Sequence, residues 1–165
     1  MLPFALIGGI LSIIQPELFE AGQDAIRRLA SAPTLCDNPA RMLEILRIWY
    51  APFSALAVIS NRATPLHLDT GGRAEWLDLM LALGKYDHGR FALPAFGYTF
   101  KYNPGTMIAV SGKIFRHRAT CMGDRAGIAF YMRNNVLDRL RLPIGKWHQR
   151  ADYMQLLIDT DTEDK

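Results

Sequence analysis

Short apolar runs separated by glycine, proline and asparagine fill the chain from residue 90 to residue 133, and this pattern limits the folds open to it. A few apolar residues bounded by turn residues are typical of β-strands and are too short for core-packing helices. The predicted strands cover residues 91–93, 98–102, 107–111, 114–118 and 126–133, with a turn at residues 103–105. Many short strands at close spacing favour a barrel or a double sheet.

The first half of the chain has a helical pattern instead. Apolar residues recur at three- and four-residue steps in residues 17–32 and 37–49, which predicts two helices. A third amphipathic helix is predicted for residues 74–83, ending at Gly84, because glycine is favoured just past helix ends. Residues 53–60 and 64–69 are predicted strands. Helices followed by closely spaced strands indicate the α+β class.

The first fourteen residues are almost uncharged, but they do not have the features of a targeting segment. They carry no basic n-region and no small-residue cleavage site, and they are too few to span a bilayer, which needs about 20 apolar residues. We expect them to be buried core in a protein that does not enter a membrane. Cys36 and Cys121 do not have zinc-site spacing, and we expect two buried, reduced thiols, with one disulfide as the alternative.

Charge is distributed unevenly along the chain. The formal net charge is only +3, but residues 113–150 contain nine Lys or Arg against two acids, Asp124 and Asp138. Five acids follow in residues 152–164. The basic stretch is predicted to be a solvated face, with contact to a polyanion as the alternative.

His67 and Asp69 form an H-x-D motif. On a strand, the period of two places both side chains on one face. A third nitrogen ligand would complete a 2-His-1-carboxylate facial triad, which leaves metal positions open for co-substrate and oxygen. His117, on a predicted strand 50 residues downstream, can supply it. The alternative is a plain His–Asp hydrogen bond on a loop.

Arg125 adds to this set. It stands eight residues after His117, before the apolar strand 126–133, and a strand–turn–strand of that length can bring its guanidinium back beside the metal site. There it would bind one end of a dicarboxylate whose other end chelates the metal. The alternative is a surface pair with neighbouring Asp124.

Several other residues are weaker candidates. Asn61 and Arg62 precede the H-x-D strand and are candidates to read a base edge or a carboxylate, or else to cap a turn. Tyr98 and Tyr102 share a predicted strand face and are candidates for substrate binding, although core packing is the more common role of such aromatics. Four polar residues are predicted to lie at the surface or to point away from the metal: His88, His148, Arg116 and Arg118.

With these residues in place, His67-x-Asp69, His117 and Arg125 resemble the HxD…H…R pattern of the Fe(II)- and 2-oxoglutarate-dependent dioxygenase superfamily. Residues 67–119 are similar to the TET/J-binding-protein-like oxygenases abundant in fungi, and the matching stretch covers residues 53–133. The resemblance implies that His67, Asp69 and His117 bind Fe(II) and that Arg125 anchors 2-oxoglutarate, with O2 as the oxidant. The expected fold is a double-stranded β-helix, or jelly-roll, with flanking N-terminal helices.

The resemblance also implies a domain plan and a substrate. A single domain is expected over residues 1–165, helical in residues 1–50, with the β-helix core in residues 53–133 and a tail in residues 134–165. The substrate expected from this family is a modified nucleic-acid base such as 5-methylcytosine. The alternatives are a hydroxylase of protein side chains or small molecules, and an inactive binding module. An intracellular location is expected, in the nucleus if DNA is the substrate and otherwise in the cytoplasm, while the oligomeric state stays open.

Overall fold

A computed structural model of the chain describes residues 2–143. The acidic residues of segment 152–164 and His148, for which predictions were made above, lie outside these described residues. Within residues 2–143, no helix is long and apolar enough to cross a membrane.

Four α-helices lie in the described part of the chain: α1 (Leu2–Ile14), α2 (Pro16–Ser31), α3 (Pro39–Leu46) and α4 (Asn134–Leu140). The helix predicted for residues 17–32 is confirmed as α2, whereas the one predicted for residues 37–49 ends earlier. The expectation that residues 1–14 are buried core holds for one face of α1 only. Ile7 and Leu11 are buried, but Leu6 and Ile13 are exposed, because α1 lies on the surface and covers the core with one face.

Six strands form one antiparallel sheet: β1 (Ala55–Ser60), β2 (Thr64–His67), β3 (Asp78–Leu93), β4 (Tyr98–Lys101), β5 (Met107–Val110) and β6 (His117–Tyr131). The centre is a long ribbon of β3 and β6. Strands β1 and β2 pair with the outer edge of β6, and β5 and β4 pair with the outer edge of β3. The predicted α+β class is confirmed.

Two glycines allow the long ribbon to bend sharply in its middle. Gly84 of β3 and Gly123 of β6 have φ values of 121° and 104°, which side chains larger than glycine rarely adopt. A bulge follows between Asp87 and Arg90, with His88 at φ 56°. Bulges increase the bend and twist of a sheet. The bend lets the two ends of β6 face a common interior.

The prediction of a helix at residues 74–83 is wrong, because most of this segment belongs to β3. Both faces of β3 are covered here, so its apolar residues run continuously and lack the alternation of a half-buried strand. Leu79 packs in the cluster under the helices, and Met80 packs in the inner cluster. Periodicity alone does not separate such a strand from a buried helix.

The two strands predicted at residues 114–118 and 126–133 are parts of one strand, β6, which begins only at His117. Likewise, residues 91–93 are the end of β3 and not a separate strand. Residues 85–88, which follow the predicted helix, lie within β3 as well. Glycine is common both at turns between strands and at irregularities inside a strand, so the sequence pattern does not distinguish the two.

Candidate active site

Strand register brings two of the predicted metal ligands together. Strands β2 and β6 pair so that His67 lies directly opposite His117, and directly opposed residues project from the same face. Their ring centroids are 4.3 Å apart. His67 and His117 are 50 residues apart in the sequence, and the pairing of β2 with β6 brings them into contact.

Asp69 lies two residues beyond the end of β2 and is held by the loop before β6. Its backbone N–H donates to the carbonyl of Gly112 at 2.9 Å. Its Oδ1 lies 3.3 Å from Nε2 of His67, and its Oδ2 lies 3.6 Å from Nε2 of His117. The three candidate ligand atoms lie within 4.8 Å of one another.

The hydrogen bonds of the two imidazoles fit a metal cation between them. Nδ1 of His67 lies 2.8 Å from the carbonyl of Pro65, and Nδ1 of His117 lies 3.0 Å from the carbonyl of Phe115. A carbonyl only accepts, so Nδ1 carries the proton of each neutral ring and each Nε2 presents a lone pair. Two lone pairs and a carboxylate facing one another repel unless a cation lies among them. Backbone carbonyls on the distal nitrogen are also the usual support of metal-binding histidines.

His117 is kept in the neutral form that metal binding requires. It is 3% exposed, and burial lowers the pKa of its imidazole, with the nearby His67 acting in the same direction. The hydrogen bond to Phe115 and the charge of Asp69 partly offset this shift. The ring also stacks on Phe91 at 5.5 Å, which fixes its plane.

Arg125 projects into the same interior from beyond the Gly123 bend. It is 4% exposed, and Nη1 donates to the carbonyl of Arg62 at 3.0 Å. Its Cζ lies 5.5 Å from the ring centre of Tyr102, while its Nε is buried with no hydrogen-bond partner. No acid among residues 2–143 forms an ion pair with it, so the pair with Asp124 is not present. A buried guanidinium in this state has capacity for a carboxylate ligand.

A cavity of about 270 Å³ connects these groups. His67, Asp69 and His117 line it together with Arg125, so the structure brings all four predicted residues to one site. Gly127 and Ala129 of β6 also line the cavity, and their small size leaves room inside it. Further along β6, Tyr131 and Arg133 also line the cavity.

A family model confirms what this geometry indicates. The model Tet_JBP, described as the oxygenase domain of the 2OGFeDO superfamily, matches residues 1–134. The chain belongs to this family. The oxygenase is therefore a 2-oxoglutarate-dependent dioxygenase that uses Fe(II) and O2, with His67, Asp69 and His117 as its possible metal site. The domain is of the jelly-roll type, which the bent six-stranded sheet and the N-terminal helices fit. No curated protein matches the chain.

The remaining sequence candidates of the oxygenase are placed differently from one another. Tyr102 and Arg62 line the cavity, whereas Tyr98 lies on edge strand β4 and is 62% exposed. Asn61 joins β1 to β6, since its N–H donates to the carbonyl of Arg125 and its Oδ1 accepts from the N–H of Arg125. His88 is exposed, as predicted. Tyr98 and Tyr102 were expected to share a face of one strand, but β4 ends at Lys101.

Asp78 is a cavity residue that sequence reasoning missed. It is buried at the start of β3, and the N–H of Gly112 donates to its Oδ2 at 3.3 Å. Burial first, and the charge of Asp69 second, raise the pKa of Asp78 from 3.8 to about 7. The signal in the sequence is an acid inside the otherwise apolar run of residues 76–83.

We expect Asp78 to make the metal-free oxygenase less stable as the pH rises from 4 to 7. Because its folded-state pKa lies above the ordinary value, the folded protein binds more protons than the unfolded chain in this window. Asp78→Asn removes the penalty, so the variant should gain up to about 4 kcal/mol over the wild type by pH 8 and nothing at pH 4. Urea unfolding with a chelator measures this difference. Asp87→Asn, which removes an exposed carboxylate of β3, is the control, and a gain at Asp78 that is constant with pH contradicts the assignment.

Proposed function

We propose that the oxygenase oxidises a C–H bond on a modified nucleic-acid base, such as the methyl group of 5-methylcytosine. The observation that carries the proposal is an aromatic ring and a guanidinium side by side on the wall of a cavity that also holds the candidate metal ligands. The resemblance to the TET/J-binding-protein oxygenases implies a nucleic-acid base as the substrate, which supports the same substrate class.

In this proposal His67, Asp69 and His117 would hold Fe(II), with the two imidazoles and the carboxylate as ligands. Bound there with 2-oxoglutarate, Fe(II) supplies the oxidising chemistry that consumes O2 and releases succinate and CO2. Burial keeps the imidazole of His117 neutral, and the two backbone carbonyls that accept from Nδ1 orient both rings. His117 then does not need to lose a proton when the metal binds.

Arg125 would bind the distal carboxylate of 2-oxoglutarate. Its position is fixed by the carbonyl of Arg62 and by the ring of Tyr102, and neither group neutralises its charge. The ring of Tyr102 packs on Phe91, which in turn stacks on His117. This row of rings links the co-substrate anchor to the metal ligands. Tyr102 is therefore assigned to the co-substrate end of the cavity, and not to substrate.

Tyr131 and Arg133 would receive the base. The Cζ of Arg133 lies 4.8 Å from the centre of the Tyr131 ring, and its Nη2 donates to the Tyr131 hydroxyl at 3.3 Å. Nη1 donates to the carbonyl of Thr70, next to the H-x-D motif, at 3.3 Å. A flat ring offers stacking, and a guanidinium offers donors to the acceptor atoms of a pyrimidine edge. A base inside a duplex would have to be flipped out to reach this wall.

The proposed substrate also implies a partner and a location for the enzyme. Nucleic acid would be the partner, and the enzyme would be intracellular, in the nucleus if its substrate is chromosomal DNA. Oxidation of a protein side chain or a small molecule, and binding without turnover, are the competing outcomes of the test below.

The test is a reaction with Fe(II), 2-oxoglutarate, ascorbate and single-stranded DNA containing 5-methylcytosine. Succinate and oxidised nucleosides are quantified together by mass spectrometry, with Asp69→Ala as the control. Oxidised base with matching succinate, absent in the variant, is the expected result. Succinate above the Asp69→Ala level without oxidised base would overturn the substrate assignment. Neither product from folded, metal-loaded protein would overturn the activity on this substrate altogether.

A further inference from the structure

Edge strand β4 carries aromatic side chains that the active site does not use. Tyr98 and Phe100 are 62% and 45% exposed, and their ring centres lie 5.9 Å apart. Phe96, just before the strand, is 51% exposed and packs on Phe115 at 4.8 Å. We define Phe96, Tyr98 and Phe100 as the aromatic strip. Exposed apolar side chains that cluster in one patch mark interaction sites more often than scattered ones do.

The register of the sheet places the aromatic strip on the active-site side. Phe100 lies directly opposite Phe91, and opposed residues share a face. Phe91 stacks on His117, one of the candidate metal ligands. The face that bears the metal site therefore continues across Phe91 to the outermost strand.

Cations occupy the other face of the same strands. Lys101 lies directly opposite Arg90, and Arg118 lies opposite Ala92, two residues further along β3. All three cations are exposed, and none of them forms an ion pair with any acid of residues 2–143. Asp87, an acid on this side of β3, is separated from Arg90 by the bulge. Like charges placed opposite each other destabilise a sheet, so this cluster favours an anionic partner.

We infer that the β4 edge binds single-stranded nucleic acid that flanks the target base, with bases stacked on the aromatic strip and phosphates near Arg90, Lys101 and Arg118. Proteins that hold single strands combine stacking rings with a basic surface that follows the backbone. A second copy pairing edge to edge along β4 would bring two of these cationic clusters near each other. An acidic peptide would satisfy the cations and leave the rings exposed. A single strand satisfies both.

The test measures the affinity of the full chain for a labelled, unmodified single strand of about 16 nucleotides by fluorescence anisotropy. Tyr98→Leu with Phe100→Leu keeps apolar bulk but removes both stacking faces, and should weaken binding about tenfold for each ring. Tyr98→Trp should retain the affinity. Tyr50→Leu is the matched control, because Tyr50 is 51% exposed on the helical side of the molecule. Unchanged affinity in the double variant would overturn the inference.

The cations are tested by the salt dependence of the same binding. Neutralising Arg90, Lys101 and Arg118 to Gln should reduce the slope of log affinity against log salt by about 2. The matched control neutralises Arg27, Arg41 and Arg139, which have acidic partners. An equal change of this slope in both triple variants would show that the effect comes from net charge alone, and it would overturn the assignment. A shift from dimer to monomer in the Leu variant, with DNA affinity intact, would make this edge a contact between copies instead.

This inference shares a nucleic-acid partner with the proposed function, but it does not require base oxidation. Binding is measured on an unmodified strand, without turnover, and in Asp69→Ala as well as the wild type. A protein that holds the strand but oxidises no base would overturn the proposed function alone. Metal- and 2-oxoglutarate-dependent stabilisation, unchanged in the variants, would show that they are folded.

Discussion

Replacing Asp69 with alanine should abolish the stabilisation that the oxygenase gains from its metal. A ligand that binds only the folded state stabilises it by about 2.7 kcal/mol at a concentration 100 times its Kd. For a chain of this size that corresponds to roughly 5–10 °C in Tm. Asp69 contributes the carboxylate of the candidate metal triad, and without it only the two imidazoles of that triad remain. Most of the gain should therefore disappear.

Thermal unfolding with and without Mn(II) and 2-oxoglutarate measures this effect, since Mn(II) replaces Fe(II) without oxidation during the scan. Asp87→Ala is the matched control, because it removes an exposed carboxylate of β3 that does not line the cavity. It should keep the full response. A gain in Asp69→Ala equal to that of the wild type would show that the metal binds elsewhere.

Replacing Arg125 with glutamine should reduce the affinity for 2-oxoglutarate by about a hundredfold or more, because a buried charge-assisted contact is lost. The variant should fold, and its free energy of unfolding without ligands should hold or rise, because an unpaired buried charge is removed. Arg125→Lys should not restore binding, since an ammonium lacks the planar donor fork.

The matched ligand for this experiment is 2-oxopentanoate, which has a methyl group in place of the distal carboxylate. The wild type should prefer 2-oxoglutarate strongly, whereas Arg125→Gln should bind the two ligands about equally. Isothermal titration of each protein with each ligand, in the presence of Mn(II), completes the comparison. If Arg125→Gln loses affinity for both ligands to the same extent, Arg125 shapes the cavity and does not hold the distal carboxylate.

The residue types and order of the candidate site could be predicted from the sequence. His67, Asp69, His117 and Arg125 are chemically distinctive, and few sites other than a metal triad with a carboxylate anchor combine them in that order. Helix α2 was equally predictable, because its apolar face and Pro16 are local signals. The strands after residue 90 were predictable as strands, but their limits were not, because Gly123 marks a bend inside β6 and not a turn.

Residues 74–83 show why local patterns fail at the centre of the molecule. An apolar run buried on both faces has no alternation, so a central strand and a buried helix give the same sequence pattern. The elements that contact residues 74–83 decide between a strand and a helix. Gln15, at the start of α2, binds the backbone of Glu75 and Leu77, and β5 and β6 pair with the residues that follow. With the strand assigned, Asp78 becomes a cavity residue.

The sequence by itself determined the chemistry of this protein, because the side chains that can hold a metal and a dicarboxylate are already identified by type and order. Only the tertiary structure decided how those side chains are used. The pairing of His67 with His117, the burial of Arg125 without an acid and the divergent positions of Tyr98 and Tyr102 all depend on strand register and on the bends at Gly84 and Gly123. Register and bending are set by contacts between residues far apart in the chain, and no local pattern contains them.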